Sequence, residues 1–96
     1  DGVIKLIFSP GHTPGHQSVL VNLPKTGHML FTGDACYTGD HWCDKCLPGL
    51  VSSSSDAAES VKKLRRVAKE HDAKVVWGHD PVSWLDWKKA PMFYYD

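Results

Sequence analysis

Short apolar runs with the two-residue period of β-strands recur along the chain. In residues 3–8 the apolar side chains Ile4, Leu6 and Phe8 alternate with the charged Lys5, which predicts a strand with one buried face. The proline- and glycine-rich segment that follows predicts a tight, stiff loop, because these residues interrupt a strand. We therefore expect the chain to open with a half-buried strand that ends abruptly in a loop.

Three more segments have the length and composition of strands. Residues 18–23 and 28–32 predict a hairpin, because proline and glycine fall in the short connection between them. Residues 74–77 predict a fourth strand. No period is sustained from residue 33 to residue 55, which predicts a long loop of the kind that is usually functional in a small domain.

Residues 56–71 have the period of an amphipathic helix. Asp56 followed by Glu59 predicts the N-terminal cap, and His71 is expected at the end, where a positive charge suits the helix dipole. The basic residues around the helix predict a solvated face, and its apolar stripe is formed by Ala57, Val61, Leu64 and Ala68. The order strand, hairpin, helix, strand predicts an α/β layer. One helix cannot cover both faces of such a sheet, so something else must pack there.

Composition narrows the function classes without identifying one. The 96 residues form one domain at most, and 42% hydrophobic with 23% charged residues is typical of a globular protein. Eleven basic residues balance eleven acidic ones, so no excess of positive charge points to nucleic acid or to an anionic membrane. No apolar run reaches the roughly 18–20 residues of a membrane span, and no signal peptide is recognisable. We expect neither nucleic acid nor a membrane as a partner.

The three cysteines predict free thiols rather than a disulfide framework. Cys43 and Cys46 form a C-x-x-C with His41 nearby, but no second pair completes a zinc ribbon. Free thiols are typical of a reducing cytoplasm, which is the compartment that we expect. The aromatic residues near the C-terminus are expected to cover a core, and they are Trp84, Trp87, Phe93, Tyr94 and Tyr95.

Three potential metal ligands each follow an apolar run, at the point where a strand should end. They are His12 in SPGHTPGH, Asp34 in LFTGDACYT and His79 in VVWGHDP. Zinc takes histidine nitrogen and aspartate oxygen as ligands, and three ligands are one short of a closed structural site. The pattern therefore predicts either a catalytic zinc site or part of a larger cluster. The histidines expected to be structural or solvent-exposed are His28, His41 and His71.

The segments SPGHTPGHQSVLV, LFTGDACYT and VVWGHDP resemble the C-terminal half of metallo-β-lactamase-fold hydrolases, most closely the N-acyl homoserine lactonases. Many branches share GHTPGH and TGD, glyoxalase II-like thioesterases included. The tyrosine three residues after the aspartate, the GHD sequence and the W-x-x-W-K-x-A-P tail are more specific to the lactonases. The resemblance implies an αββα sandwich with a mixed, mostly antiparallel sheet and one main helix, of which residues 1–96 form the C-terminal portion of a single domain.

The resemblance also implies roles for individual residues. His12 matches a metal-binding histidine, Asp34 the aspartate that bridges two metals, and His79 the last metal-binding histidine. Tyr37 matches a tyrosine that contacts the substrate, and His16 resembles a support rather than a ligand. The implied cofactor is a pair of Zn²⁺ ions that share a hydroxide, which attacks the carbonyl of an N-acyl homoserine lactone in a quorum-quenching reaction. A metal and the Tyr37 hydroxyl would stabilise the developing negative charge.

The chain departs from this family pattern at one point. The H-x-H-x-D-H motif is absent, and no His-x-His occurs in the sequence. The chain opens on Asp1 without a methionine, so we expect a fragment whose partner is the missing N-terminal half of the same domain. Two alternatives remain open: a thioesterase acting on glutathione conjugates, and a non-catalytic remnant that binds one metal weakly or serves as an interaction module. The first would need a basic cluster, and the 36–54 loop has only Lys45.

Overall fold

Seven secondary-structure elements make up the part of the chain that the computed structural model describes, which is residues 2–46, 49–91 and 95–96. The strands are β1 (Ile4–Phe8), β2 (Gln17–Leu23), β3 (Gly27–Gly33) and β4 (Lys74–Trp77). The helices are α1 (Gly39–Trp42), α2 (Ser54–His71) and α3 (Pro81–Trp84). The predicted order of strand, hairpin, helix and strand is confirmed.

The four strands form one mixed sheet in the order β1-β2-β3-β4. β2 is antiparallel to both β1 and β3, and β4 is parallel to β3. β1, β3 and β4 therefore run in the same direction. Their carboxyl ends meet at one end of the sheet, which is where the three predicted metal ligands follow in sequence. The expectation of a mostly antiparallel, mixed sheet with one main helix is confirmed.

The core lies between the sheet and α2. On the hairpin, Leu20 pairs with Leu30, and the two side chains are only 3% and 0% exposed. Leu64 and Ala68 of α2 pack against this pair, with Ile7 among the partly buried side chains at the border. The predicted apolar stripe of the helix is confirmed, because all four of its residues are buried.

The start of α2 differs from the prediction. The N-cap is Ser53 rather than Asp56, and the Ser53 hydroxyl accepts a hydrogen bond from the Asp56 backbone N–H at 3.2 Å. The serine run therefore supplies the cap and the first turn, three residues earlier than expected. The helix ends at His71 as predicted, and Asp72 follows in the left-handed conformation at φ 49°. Across the described residues, no helix is long and apolar enough to cross a membrane.

The second face of the sheet is largely open. Ile4, Leu6 and Phe8 are 63%, 65% and 52% exposed, so the expectation that this side of β1 is buried is wrong for the chain as described. These residues point away from α2, whereas the partly buried Ile7 contacts the core. At one end of this face, residues of the tail border a groove of about 320 Å³, whose lining includes Val21, Phe31, Trp84, Trp87 and Tyr95. Phe93 and Tyr94 lie outside the described residues.

The segment predicted as a long loop contains the short helix α1. Thr38 caps it, since its hydroxyl accepts a hydrogen bond from the His41 backbone N–H at 3.3 Å. Gly39 N–H donates to Asp80 Oδ2 at 3.0 Å, which ties the start of α1 to the loop after β4. Four residues are too few to show a helical period, so the sequence pattern could not predict this element.

Candidate metal centre and active site

The structure brings the three predicted metal ligands together at the carboxyl ends of β1, β3 and β4. The Asp34 carboxylate lies between the two imidazoles, with one oxygen towards each. Oδ2 is 3.4 Å from His12 Nε2, and Oδ1 is 2.7 Å from His79 Nε2. The side chains of His12, Asp34 and His79 are 20%, 41% and 61% exposed, so the cluster is open to a ligand. His12 and His79, which are 67 positions apart in the sequence, thus lie on either side of the same carboxylate.

The tautomer of His12 is set by a neighbouring carbonyl. His12 Nδ1 lies 3.0 Å from the backbone oxygen of Leu50, which can only accept, so Nδ1 carries the proton. With the proton on Nδ1, the Nε2 lone pair of the neutral ring faces a carboxylate oxygen of Asp34, and a cation between the two atoms would stabilise this arrangement. Two ligands on one tetrahedral zinc stand roughly 3.3 Å apart. The observed 3.4 Å between His12 Nε2 and Asp34 Oδ2 fits this spacing.

His79 is closer to Asp34 than two ligands of one metal would be. At 2.7 Å its Nε2 donates a hydrogen bond directly to Asp34 Oδ1. Within residues 2–46, 49–91 and 95–96, no group of three or more His, Cys, Asp or Glu side chains is arranged to hold a metal ion. The donor types and the His12–Asp34 spacing fit zinc, and a metal would replace the His79–Asp34 hydrogen bond. The assignment of these residues as ligands stays a prediction.

The loop that carries His12 is fixed to the beginning of α2. The Gly11 carbonyl accepts hydrogen bonds from the backbone N–H groups of Ser52 and Ser53, at 2.7 and 3.0 Å. The Ser60 hydroxyl donates to the Pro10 carbonyl at 2.6 Å. Gly11 has φ +141° and lies against the backbone of Ala57, so any side chain there would collide with the helix. His12 is thus held by the same helix that covers the core.

A chain of buried and partly buried hydrogen bonds supports the backbone of Asp34. The Asp34 N–H donates to His16 Nε2 at 3.1 Å, so the ring proton of His16 is on Nδ1, which donates to Ser9 Oγ at 2.9 Å. Ser9 Oγ lies 2.8 Å from Ser18 Oγ, and Ser18 donates to the Thr32 carbonyl at 3.1 Å. The donor and the acceptor of each hydrogen bond in this series are therefore defined. Both ring nitrogens of His16 are in use, which agrees with its expected role as a support.

Tyr37 lies beside the three predicted ligands. Its hydroxyl is 3.4 Å from His12 Nδ1, and its ring makes an edge contact with the His79 ring, with the centroids 4.6 Å apart. Its carbonyl accepts a hydrogen bond from the His79 backbone N–H at 2.9 Å. A phenol hydroxyl is therefore available next to the carboxylate–imidazole cluster, where it can donate to an oxygen of a bound ligand.

Asp80 is a supporting residue that the sequence analysis missed. Its carboxylate accepts hydrogen bonds from the backbone N–H groups of Gly39, Ser83 and Val82. These bonds, the one from Gly39 first, hold the pKa of the Asp80 carboxyl below its usual value. The carboxylate thereby joins α1 to the loop that carries His79. Aspartate followed by Pro81 is the sequence of a helix N-cap and N1 pair, and this signal could have found the site.

The cysteines are all free thiols, as predicted. Cys43 and Cys46 are exposed, whereas Cys36 is buried. Burial raises the pKa of the Cys36 thiol to about 12, so this residue stays protonated at neutral pH. Its sulfur donates to the Thr38 carbonyl at 3.4 Å, which is a structural contact within the turn before α1.

Comparison with known proteins identifies the family. Residues 1–79 match the model of the metallo-beta-lactamase superfamily. The chain therefore belongs to this superfamily, as the sequence motifs implied. The sheet and helices match the fold in part, since the chain corresponds to about a third of a complete member.

Individual relatives narrow the likeness further. The chain is 56% identical over 94 residues to the N-acyl homoserine lactonase AttM of Agrobacterium fabrum, covering 98% of this chain and 36% of that protein. It is 39% identical over 77 residues to an N-acyl homoserine lactonase of Bacillus cereus, covering 80% of this chain and 30% of that one. A solved N-acyl homoserine lactone hydrolase, with N-hexanoyl-L-homoserine bound at its catalytic metal centre, superposes with a TM-score of 0.87 at 31% identity. That match covers 95% of this chain and 36% of the solved one.

Proposed function

We propose that the protein carrying this chain opens the lactone ring of N-acyl homoserine lactones by zinc-dependent hydrolysis. The observation that carries this proposal is the Asp34 carboxylate, which presents one oxygen to His12 and the other to His79. A carboxylate with this surrounding suits a site that holds two cations close together. The relatives supply the substrate class, since the similar proteins of Agrobacterium fabrum and Bacillus cereus are both N-acyl homoserine lactonases.

Each residue has a distinct part in the proposed reaction. His12 offers Nε2 to one zinc ion because Leu50 holds the proton on Nδ1. Asp34 and His79 would supply the other ligands that this chain offers to the metal centre. Bound zinc would lower the pKa of a water molecule and polarise the lactone carbonyl. The Tyr37 hydroxyl donates a hydrogen bond to the carbonyl oxygen as negative charge develops there. Addition of water across the ring ester gives a single product, the N-acyl homoserine.

The chain alone does not supply all the ligands that two zinc ions need. One carboxylate and two imidazoles cannot fill two tetrahedral shells. We infer that residues 1–96 form the C-terminal portion of a single domain, and that the remaining ligands come from the rest of that domain. The open side of β1 supports this view, because Ile4, Leu6 and Phe8 form an apolar surface that a second layer would cover.

The test uses the full-length protein that contains this chain. Lactone hydrolysis is followed with an N-acyl homoserine lactone and, in parallel, with a glutathione thioester, while the metal content is measured by mass spectrometry. We expect bound zinc and faster turnover of the lactone. Faster turnover of the thioester would instead assign the protein as a thioesterase of the same fold. Purified protein without metal and without either activity would favour a non-catalytic remnant.

Two variants test the residue roles. Tyr37→Phe should lower kcat about tenfold to a hundredfold without changing the zinc content, because one oxyanion donor is lost while the metal shares the charge. Asp34→Asn should lower both the zinc content and the rate, since the bridging charge is lost. The matched controls are Tyr95→Phe, whose hydroxyl contacts the Lys88 N–H in the tail, and Asp40→Asn, an exposed carboxylate paired with Lys45. Full activity of Tyr37→Phe would make Tyr37 a packing residue.

A further inference from the structure

His41 is a buried histidine that contacts the backbone of Tyr37. The side chain lies in α1 and is 2% exposed. Its Nδ1 lies 3.2 Å from the Tyr37 backbone nitrogen. A backbone N–H can only donate, so Nδ1 is the acceptor and the ring proton is on Nε2. Burial lowers the pKa of the His41 ring, which favours this neutral form.

The hydrogen bond to His41 holds the backbone N–H of Tyr37, and contacts with His79 hold its carbonyl and its ring. The Tyr37 carbonyl accepts from the His79 N–H, and its ring lies edge-on against the His79 ring. The His41 ring makes a second edge contact with Tyr37, with the centroids 6.3 Å apart. Rotation of the peptide before Tyr37 would move the phenol hydroxyl away from His12. The acceptor on His41 opposes that rotation.

The position of His41 is itself well determined. Its own backbone N–H donates to Thr38 Oγ1, and the next residue, Trp42, accepts a hydrogen bond from Arg65 through its carbonyl at 2.9 Å. These contacts tie α1 to α2. His41 Nε2 is buried and has no hydrogen-bond partner among the described residues. An apolar side chain would fill the same volume without burying an unpaired N–H group. We therefore infer that the ring is useful here for its other nitrogen, the acceptor Nδ1.

We propose that His41 is a positioning residue, which orients the Tyr37 hydroxyl towards the reacting carbonyl by accepting the Tyr37 backbone hydrogen bond. The catalytic part of this proposal rests on the proposed lactonase function. The contact between His41 and Tyr37 does not, and it can be measured without substrate.

The kinetic test compares two substitutions in the full-length zinc enzyme. His41→Phe keeps the ring volume but removes the acceptor, and His41→Asn places a carbonyl oxygen near the position of Nδ1. We expect His41→Phe to lower kcat about tenfold, which is the lower end of the loss expected for Tyr37→Phe, with unchanged zinc content and little change in KM. His41→Asn should restore most of the rate. In the double variant His41→Phe/Tyr37→Phe, the loss should not exceed that of Tyr37→Phe alone, because both changes remove the same interaction. The proposal would be overturned if the rate losses of the two single variants multiplied in the double variant. It would also be overturned if His41→Asn failed to restore the rate.

A spectroscopic test separates this proposal from the function. Nitrogen NMR of protein labelled at histidine should show His41 in the neutral form with the proton on Nε2. Fluorine NMR of fluorotyrosine at position 37 should shift in His41→Phe and return in His41→Asn. If the wild-type enzyme turned over no lactone while both signals behaved as expected, the proposed function would fail and the positioning contact would stand. A proton on Nδ1 of His41, or an unshifted Tyr37 signal, would refute the contact.

Discussion

The close approach of two glycines determines how Asp34 and His79 meet. Gly33 and Gly78 each precede one of these residues, at the ends of the parallel strands β3 and β4. A Cβ atom added at Gly78 would run into the Gly33 carbonyl oxygen and lie 2.9 Å from its carbonyl carbon, below the 3.0 Å that real Cβ contacts keep. We therefore predict that Gly78→Ala damages the site without touching a ligand.

The size of the effect follows from the atoms involved. Both atoms are backbone atoms, so neither can rotate away, and the two loops must separate by about 1 Å to restore an ordinary van der Waals contact. A misplacement of that size near reacting groups costs on the order of 10²-fold in rate. Overpacking of this kind also costs roughly 1–3 kcal/mol of unfolding free energy. In the metal-free protein, the 2.7 Å hydrogen bond from His79 Nε2 to Asp34 Oδ1 would be lost or stretched.

The measurement is a comparison with a second glycine of the same site. Gly15 lies in the loop that carries His12, and an added Cβ there meets nothing within 4 Å. In the full-length protein we expect Gly15→Ala to keep its zinc content, kcat/KM and urea midpoint. Gly78→Ala should lose on the order of 10²-fold in kcat/KM and part of its zinc. Wild-type zinc content and rate in Gly78→Ala would refute the reasoning, as would equal losses in both variants.

Two other predictions concern His16 and the three cysteines. His16→Leu leaves the Asp34 N–H without its acceptor, so it should lower the unfolding free energy by about 1–3 kcal/mol in urea denaturation. His16→Gln should recover part of this loss, and an unchanged midpoint in His16→Leu would contradict the support role. At pH 8, iodoacetamide should modify Cys43 and Cys46 in the folded protein and spare Cys36, whose pKa is raised to about 12 by burial. Peptide mapping by mass spectrometry checks this, and rapid labelling of Cys36 would show that its burial is not maintained.

Much of the fold was predictable because its signals are local. Alternating apolar residues and a turn with proline and glycine define the hairpin, and the four-residue apolar stripe defines α2. The meeting of His12, Asp34 and His79 was also predictable, since each follows a strand. This expectation requires only that the three strands before these residues run in the same direction. It does not depend on the order of the strands in the sheet.

The misses have physical causes as well. The buried face of β1 could not be predicted, because alternation separates two faces but does not say which one meets the helix. The cap of α2 was placed too late, since serine and aspartate are both good caps and the pattern does not rank them. The support from His41 and Asp80 depends on contacts between α1, α3 and the strand ends. Such contacts are tertiary, and no single segment of sequence encodes them.

The parallel pairing of β3 and β4 also bears on the order in which the chain folds. The hairpin of β2 and β3 closes over a few residues, whereas the contact of Asp34 with His79 spans 45 positions. We expect such a contact to form after α2 has returned β4 to the sheet, because closing a long loop costs more entropy than closing a hairpin. A ligand held by both residues should therefore stabilise the segment that we expect to be added last. In hydrogen exchange, its removal should loosen β4 and α3 before it affects the hairpin.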